Sequence, residues 1–264
     1  MAHFESKLYA DEIIITDDTL HYAEPPKGYG KGRLGPAGYS SGGGYTLKPL
    51  PKELIVPESE WLKELQFKEE NGTLTSQIIK KNGPPPKNQQ QTNYCWINAA
   101  ACCQEIIREL AGEEYVDFSP ASAGGPITGF QNVGGYGSQG LRWVAEHGFV
   151  PTKYWPANAI DKKYYTADNK AIALNYRFTD WYELQIRSIE EVVACLLANI
   201  PVSVGYNWWG HQVTLLDLVR KNNRWGFRFY NSWGAEYGDG GMAILQGSQM
   251  FPDDAIAPFR ATAA

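Results

Sequence analysis

Cys95 stands directly before Trp96 in the stretch NQQQTNYCWINAAACC. It opens a run in which Trp96, Ala99, Ala100, Cys103, Ile106, Ile107 and Leu110 recur with the 3.6-residue period of a buried helix, closed by Gly112. A thiol at a helix N-terminus has a chemical use, because unpaired backbone N–H groups and the helix dipole stabilise the reactive thiolate. A neighbouring imidazole would lower the thiol pKa further. Of the four histidines, His3 and His21 lie near the N-terminus and His147 ends a helical pattern, where a cation on the last turn is reason enough for it. That leaves His211, which opens a strand after Asn-Trp-Trp-Gly, and Asn231, which ends the next strand. If 211–219 and 224–231 pair as a hairpin through Lys221, Asn222 and Asn223, the two side chains lie near one end of neighbouring strands. A Cys–His–Asn relay requires that geometry.

The elements around these residues divide the chain. Residues 25–45 (PPKGYGKGRLGPAGYSSGGGY) are rich in Gly, Pro, Tyr and Ser, so residues 1–50 read as an extended N-terminal arm and 51–264 as the globular domain. A short helix is predicted after Pro57, with Glu58 and Glu60 in its first turn and Gly72 past its end. Pro84 to Pro86 deliver the chain to Cys95 in an extended form. Further helices are predicted over 137–148 and 189–200, and strands dominate after Pro201. The order gives an α+β layout with two lobes.

Four segments resemble the papain-like cysteine proteases, in the family's order and over roughly residues 50 to 250. PPKNQQQTNYCW is similar to the family's approach to its nucleophile-Trp pair. NVGGYGSQGLRWVAEHGFVPTKYWP is similar to its glycine-pair segment and following helix. GHQVTLLDL stands where its histidine strand belongs, and NSWGAEYGDGGMAIL matches its asparagine segment and trailing glycines. His211 and Asn231 follow Cys95 by 116 and 136 residues; the family spacing is about 130–150, so the shorter interval implies trimmed loops.

The resemblance implies a two-lobe fold: a helical lobe whose central helix starts at the nucleophile Cys, and an antiparallel β-barrel-like lobe. It implies Cys95 as nucleophile, His211 as general base and acid, and Asn231 as orienting group. Trp233 and Trp96 would support the site, and Gln89 with the Cys95 backbone N–H would form the oxyanion hole. Gly134 and Gly135 would lie along an extended peptide or protein substrate. No metal or cofactor is implied. The departures are Thr92, where the family has a further cysteine, and the larger Tyr94 and Gln212 beside the nucleophile and the histidine; both put substrate access in question. The N-terminal region also lacks the long charged helices of the family's inhibitory prosegments.

A net charge of −5 and a pI near 5.5 argue against a nucleic-acid surface. No apolar run reaches the roughly 20 residues of a membrane span, and residues 1–18 do not form a signal peptide. Four cysteines with no Cys-x-x-Cys read as free thiols in a reducing, cytoplasmic setting, with no zinc site.

The arm raises a second class of function. A free segment of its composition would be disordered, so its order depends on its own domain, a sister subunit or a large assembly. A structural or decorating component, for instance of a virion, built on a papain-like scaffold is therefore the alternative to a peptidase. A blocked cleft favours the scaffold, and an open cleft with Cys95 against His211 favours the enzyme. Acyl transfer shares the Cys and His but commonly places an Asp third, and Asn231 counts against it.

Overall fold

The computed structural model describes residues 4–7, 12–34 and 48–262. Part of the predicted arm, 35–47, lies outside the described residues. The strands are β1 (Ile13–Ile15), β2 (Phe178–Glu183), β3 (Val202–Tyr206), β4 (His211–Lys221), β5 (Arg224–Tyr230), β6 (Met242–Gln246) and β7 (Asp254–Ala261). The helices are α1 (Glu58–Glu70), α2 (Thr75–Asn82), α3 (Cys95–Leu110), α4 (Ala121–Ile127), α5 (Gly137–His147), α6 (Ala167–Ala173) and α7 (Ile189–Leu197).

The strands form one sheet in the order β1-β6-β5-β4-β3-β7-β2, antiparallel except where β1 lies parallel to β6. Along β4 the side chains alternate between two cores. Val213 and Leu215 join the cluster that includes Val192 and Val193 of α7 and Trp61 of α1, while Leu216 packs with Cys102 and Ile106 of α3. Both faces of β4 are thus covered, which explains its nearly unbroken apolar reading. The turn to β5 is made by Asn222 and Asn223 at φ 51° and 60°, the left-handed pair a two-residue hairpin needs.

The predicted helices after Pro57 and over 95–110, 137–148 and 189–200 are all present. One expectation needs correction, and one helix was not foreseen. The β-rich region is not confined to the chain after Pro201, because β2 precedes α7 and β1 comes from the predicted arm. And α4, with sequence ASAGGPI, is a helix its composition argues against. Gly124 sits against the Tyr94 ring, where a Cβ would lie 2.7 Å from a ring carbon. Close packing there outweighs the propensity of the Gly-Gly-Pro run.

The N-terminal segment is fixed to the domain along its described length. Glu5 accepts from Asn222 N–H (2.7 Å) and Ser6 N–H donates to Arg220 O (2.8 Å). Buried Glu12 receives Nε (2.5 Å) and Nη2 (3.0 Å) of Arg228 on β5. Removing Glu12 takes away the closer carboxylate and leaves Arg228 with Asp217 at 3.6 Å. Glu12→Ala should therefore lower unfolding free energy by about 3 kcal/mol in urea titration.

Candidate active site

Helix α3 begins at Cys95, so the thiol sits on the first turn, fully buried. β4 begins at His211 and β5 ends at Tyr230, which brings His211 and Asn231 to the same end of the hairpin. His211 Nε2 lies 2.8 Å from Asn231 Oδ1, and that same oxygen accepts the Ser232 backbone N–H at 2.8 Å. The backbone donor fixes which end of the amide faces the ring. Asn231 therefore offers His211 an acceptor, Nε2 carries the proton, and Nδ1 of the neutral ring is left as the basic nitrogen. That Nδ1 is buried with no hydrogen-bond partner. The Trp233 ring stacks on the imidazole (centroids 4.8 Å, 26°) and Trp209 meets it edge-on (4.8 Å, 62°), which shields the His–Asn bond from water.

Gln89 is held from the Asn231 side. Its Oε1 accepts the Ser232 hydroxyl at 2.5 Å and its backbone N–H donates to Ser232 O at 2.8 Å. With Oε1 occupied, the Nε2 donors face the carbonyls of Gly30 (2.9 Å), Lys31 (3.1 Å) and Thr92 (2.8 Å). Ser232 thus positions both Asn231 and Gln89, a role nothing in its sequence context announced beyond adjacency to Asn231. Ser232→Ala leaves a buried acceptor on Gln89 and should cost about 1–3 kcal/mol, read by thermal or denaturant unfolding.

The departures from the family pattern do not crowd the centre. Tyr94 turns away, its hydroxyl bonded to Thr128 (2.7 Å) and Gln131 O (2.9 Å). Gln212 points between Gly137 and β3, where Nε2 donates to Ser203 (2.8 Å) and a Cβ on Gly137 would meet it at 1.9 Å. Thr92 closes the loop before the helix by donating to Gln89 O at 2.7 Å.

What crowds the centre is the chain itself. Tyr29 to Leu34 run through the cleft, held by Gly30 N–H to Gln90 O (2.9 Å), Gly135 N–H to Gly32 O (2.9 Å) and Leu34 N–H to Gly135 O (3.1 Å). Arg33 pairs in parallel with Gly135. The carbonyl of Lys31 accepts from both Gln89 Nε2 (3.1 Å) and Cys95 N–H (3.4 Å). The two cleft glycines have separate reasons to be glycine. A Cβ on Gly135 would lie 2.4 Å from the Trp96 indole beneath it, and one on Gly134 would lie 2.2 Å from Gly32 O. Trp96 in turn donates to Asn93 O at 3.2 Å.

Burial dominates the titration of the pair. It pushes the Cys95 thiol up to about 12, against the opposing pull of the Gln212 and Trp96 backbone N–H groups and of Arg33. It pushes His211 down to about 3, with the Asn231 hydrogen bond raising it and the nearby Lys31 charge lowering it further. Both groups are therefore neutral at pH 7 with the arm in place. The other cysteines, Cys102, Cys103 and Cys195, are free and buried in the cores.

Among solved structures, xylellain, a cysteine protease from Xylella fastidiosa, superposes with a TM-score of 0.62 at 16% identity over 90% of this chain and 98% of its own. Digestive procathepsin L 3 from the larval midgut of Tenebrio molitor gives 0.58 at 15% identity, over 69% and 68% of the two chains. The proform of the ragweed pollen cysteine protease Amb a 11 gives 0.56 at 18%, over 68% and 63%. The fold is that of the papain-like cysteine proteases. No family model matches the sequence, and no curated protein matches it by sequence. Within the papain-like fold, sequence reasoning brought Cys95, His211, Asn231, Gln89, Gly134, Gly135, Trp96 and Trp233 to one cleft. It missed Ser232, and it missed the cleft segment around Lys31 and Arg33. The only signal for the latter was a pair of glycines flanking one Lys in GKGR, which a main chain needs to approach another closely.

Proposed function

We propose that this chain is a papain-like cysteine peptidase that rests with its own N-terminal segment in its cleft. One observation carries the reading: two donors, Gln89 Nε2 and Cys95 N–H, converge on the single carbonyl oxygen of Lys31, beside a thiol at a helix N-terminus. A carbonyl held so is where charge would develop in acyl transfer.

With a substrate in place of the arm, His211 Nδ1 takes the Cys95 proton while Nε2–H stays on Asn231. The thiolate attacks the peptide carbonyl, and its oxygen, now negative, is held by Gln89 and the Cys95 N–H. The tetrahedral centre collapses, the C–N bond breaks, and His211 gives its proton to the departing amine. Water, deprotonated by His211, then cleaves the thioester and restores the thiol.

A second reading has an observation of its own. The cleft is filled and His211 Nδ1 has no partner, which suits a scaffold that needs no turnover. The two part on a peptide-hydrolysis assay with the arm loosened by Gly32→Ala, with Cys95→Ala and His211→Ala added separately. The peptidase reading expects cleavage in the first protein and about 10⁴-fold or greater loss in each of the others. A loosened protein whose Cys95 alkylates readily but which cleaves no peptide in a diverse library would leave only the scaffold.

A further inference from the structure

Away from the cleft, at the other end of α5, the helical lobe holds a cavity of about 290 Å³. α5 starts at Gly137, which packs on Gln212 beside His211, and its last turns supply Trp143 and His147 to the cavity wall. Helix rise puts the two ends about 15 Å apart. Val150 and Trp155, Tyr165, and Leu174 of α6 complete the apolar wall. Room is left between the rings because the residues among them are small: Gly148, Ala171 and Ala173.

The polar side chains of the wall are turned to the protein itself. Ser122 Oγ donates to Ser119 O (2.7 Å) and accepts the Val150 N–H (3.0 Å). Trp155 Nε1 donates to Ala159 O at 2.8 Å, and Asn169 Nδ2 donates to Tyr164 O at 2.8 Å. What faces the cavity is mainly aromatic and aliphatic surface. An apolar cavity of about 150 Å³ takes a benzene ring, so one of about 290 Å³ has room for a fused bicycle.

Charge stands at the mouth. Exposed Lys170 places Nζ 3.9 Å from the centroid of the Tyr165 ring, and among the described residues no carboxylate pairs with it. His147 is matched within its own helix. Its ring lies flat on Trp143 (centroids 3.9 Å, 13°), Nδ1 donates to Trp143 O at 3.2 Å, and Glu146 lies 3.7 Å away. Lys170 is therefore the cation held on an aromatic wall with no anion to meet it. An ammonium so placed repels a second cation and attracts an anion. The complement of this site is a flat apolar ring that carries one negative charge.

We infer that this cavity binds a flat aromatic acid, its ring against Trp143, Trp155 and Tyr165 and its carboxylate on Lys170 Nζ. The site needs neither Cys95 nor an open cleft, so it stands whether or not the chain is a peptidase.

Calorimetry of the full chain with indole-3-acetate tests it, beside indole-3-acetamide, tryptamine and decanoate. The acid should bind with a Kd below about 1 mM and about tenfold or more tighter than its amide, with tryptamine weakest. Lys170→Met keeps the aliphatic stem and should bring acid and amide together. Ala171→Trp, at an exposed position of α6, should fill the mouth and abolish binding with the unfolding midpoint unchanged. The indole N–H resonances of Trp143 and Trp155 give a check on the native chain. Both should move on adding the acid, while those of Trp96 and Trp233 in the cleft stay. Equal affinity for acid and amide overturns the proposal, as does no binding at about 10 mM. Tighter binding of decanoate than of indole-3-acetate overturns the aromatic class. Binding that survives Ala171→Trp, or that leaves the Trp143 and Trp155 signals in place, lies elsewhere on the molecule and overturns the site.

Discussion

Gly32→Ala in the full chain is expected to raise the rate at which limiting iodoacetamide labels Cys95 by about 100-fold. Gly32 has φ +108°, and a Cβ there would lie 2.0 Å from Asn93 O and 2.4 Å from Asn93 C. Both obstacles are backbone, so no side chain can swing aside. Forcing a Cβ into such a position costs on the order of 3 kcal/mol, and each 1.4 kcal/mol is tenfold in the population of arm-released protein. Peptide mass spectrometry reads the modified cysteine, with Cys102, Cys103 and Cys195 as internal references buried away from the cleft. Gly30→Ala, whose Cβ would fall 2.3 Å from Thr92 O, should act in the same direction. Unchanged labelling of Cys95 in both variants would mean that the arm is not what protects the thiol.

Acid should loosen the arm, and His211 sets the range. Burial, with Trp209 and Trp233 against the ring, holds its pKa down at about 3, and the charge of Lys31 in the arm adds to that. Release of the arm lets the value rise toward the ordinary 6.5. The closed state therefore binds fewer protons than the open one between those values. Its advantage is full above pH 6.5 and declines as pH falls toward 3. At about 1.36 kcal/mol per pH unit, a full return to 6.5 sets the ceiling of the shift at pH 5 at about 2 kcal/mol, or roughly 30-fold in the open population. Asp254, raised from its usual 3.8 by burial against the pull of Arg33, acts with the opposite sign, but across the carboxylate range. Cys95 adds an alkaline limb, because the closed state holds the thiol proton up to about 12. Hydrogen exchange of residues 29–34, corrected for its intrinsic pH dependence, should thus be slowest near neutrality. His211→Gln should flatten the acid limb; an acid limb that survives it would point to another group.

How far the sequence led follows from what each residue answers to. Cys95, His211 and Asn231 are set by local rules: a helix start, a strand start, and a hairpin with two asparagines at its turn. Turn chemistry was enough to pair His211 with Asn231, and periodicity to set Cys95 at a helix start; joining Cys95 to that pair rested on the family resemblance. Gln89 was named from the family resemblance, and its restraint by Ser232 depends on a loop meeting a strand end across 143 residues of chain. Short α4 and the strand β2 were missed because packing against Tyr94 and pairing with β7 decide them, and neither partner is near in sequence. Asp254 carried no signal at all, since a buried carboxylate is indistinguishable in sequence from a solvated one. Arg33 was misplaced for a different reason: Gly, Pro and Ser around it read as an arm, and the composition of a segment says nothing about a groove waiting for it.

The parallel pairing of Ile13–Ile15 with Ala243–Leu245 limits how the cleft can be opened. That short strand covers the outer row of amide and carbonyl groups on β6. A cut that removed every residue before the domain would strip the cover and leave a ready template for another molecule's strand, the usual route to aggregation. Processing that yields a well-behaved product should therefore free 29–34 while leaving 13–15 seated on β6. Truncations ending just before residue 12 and just after residue 16 should differ sharply in solubility.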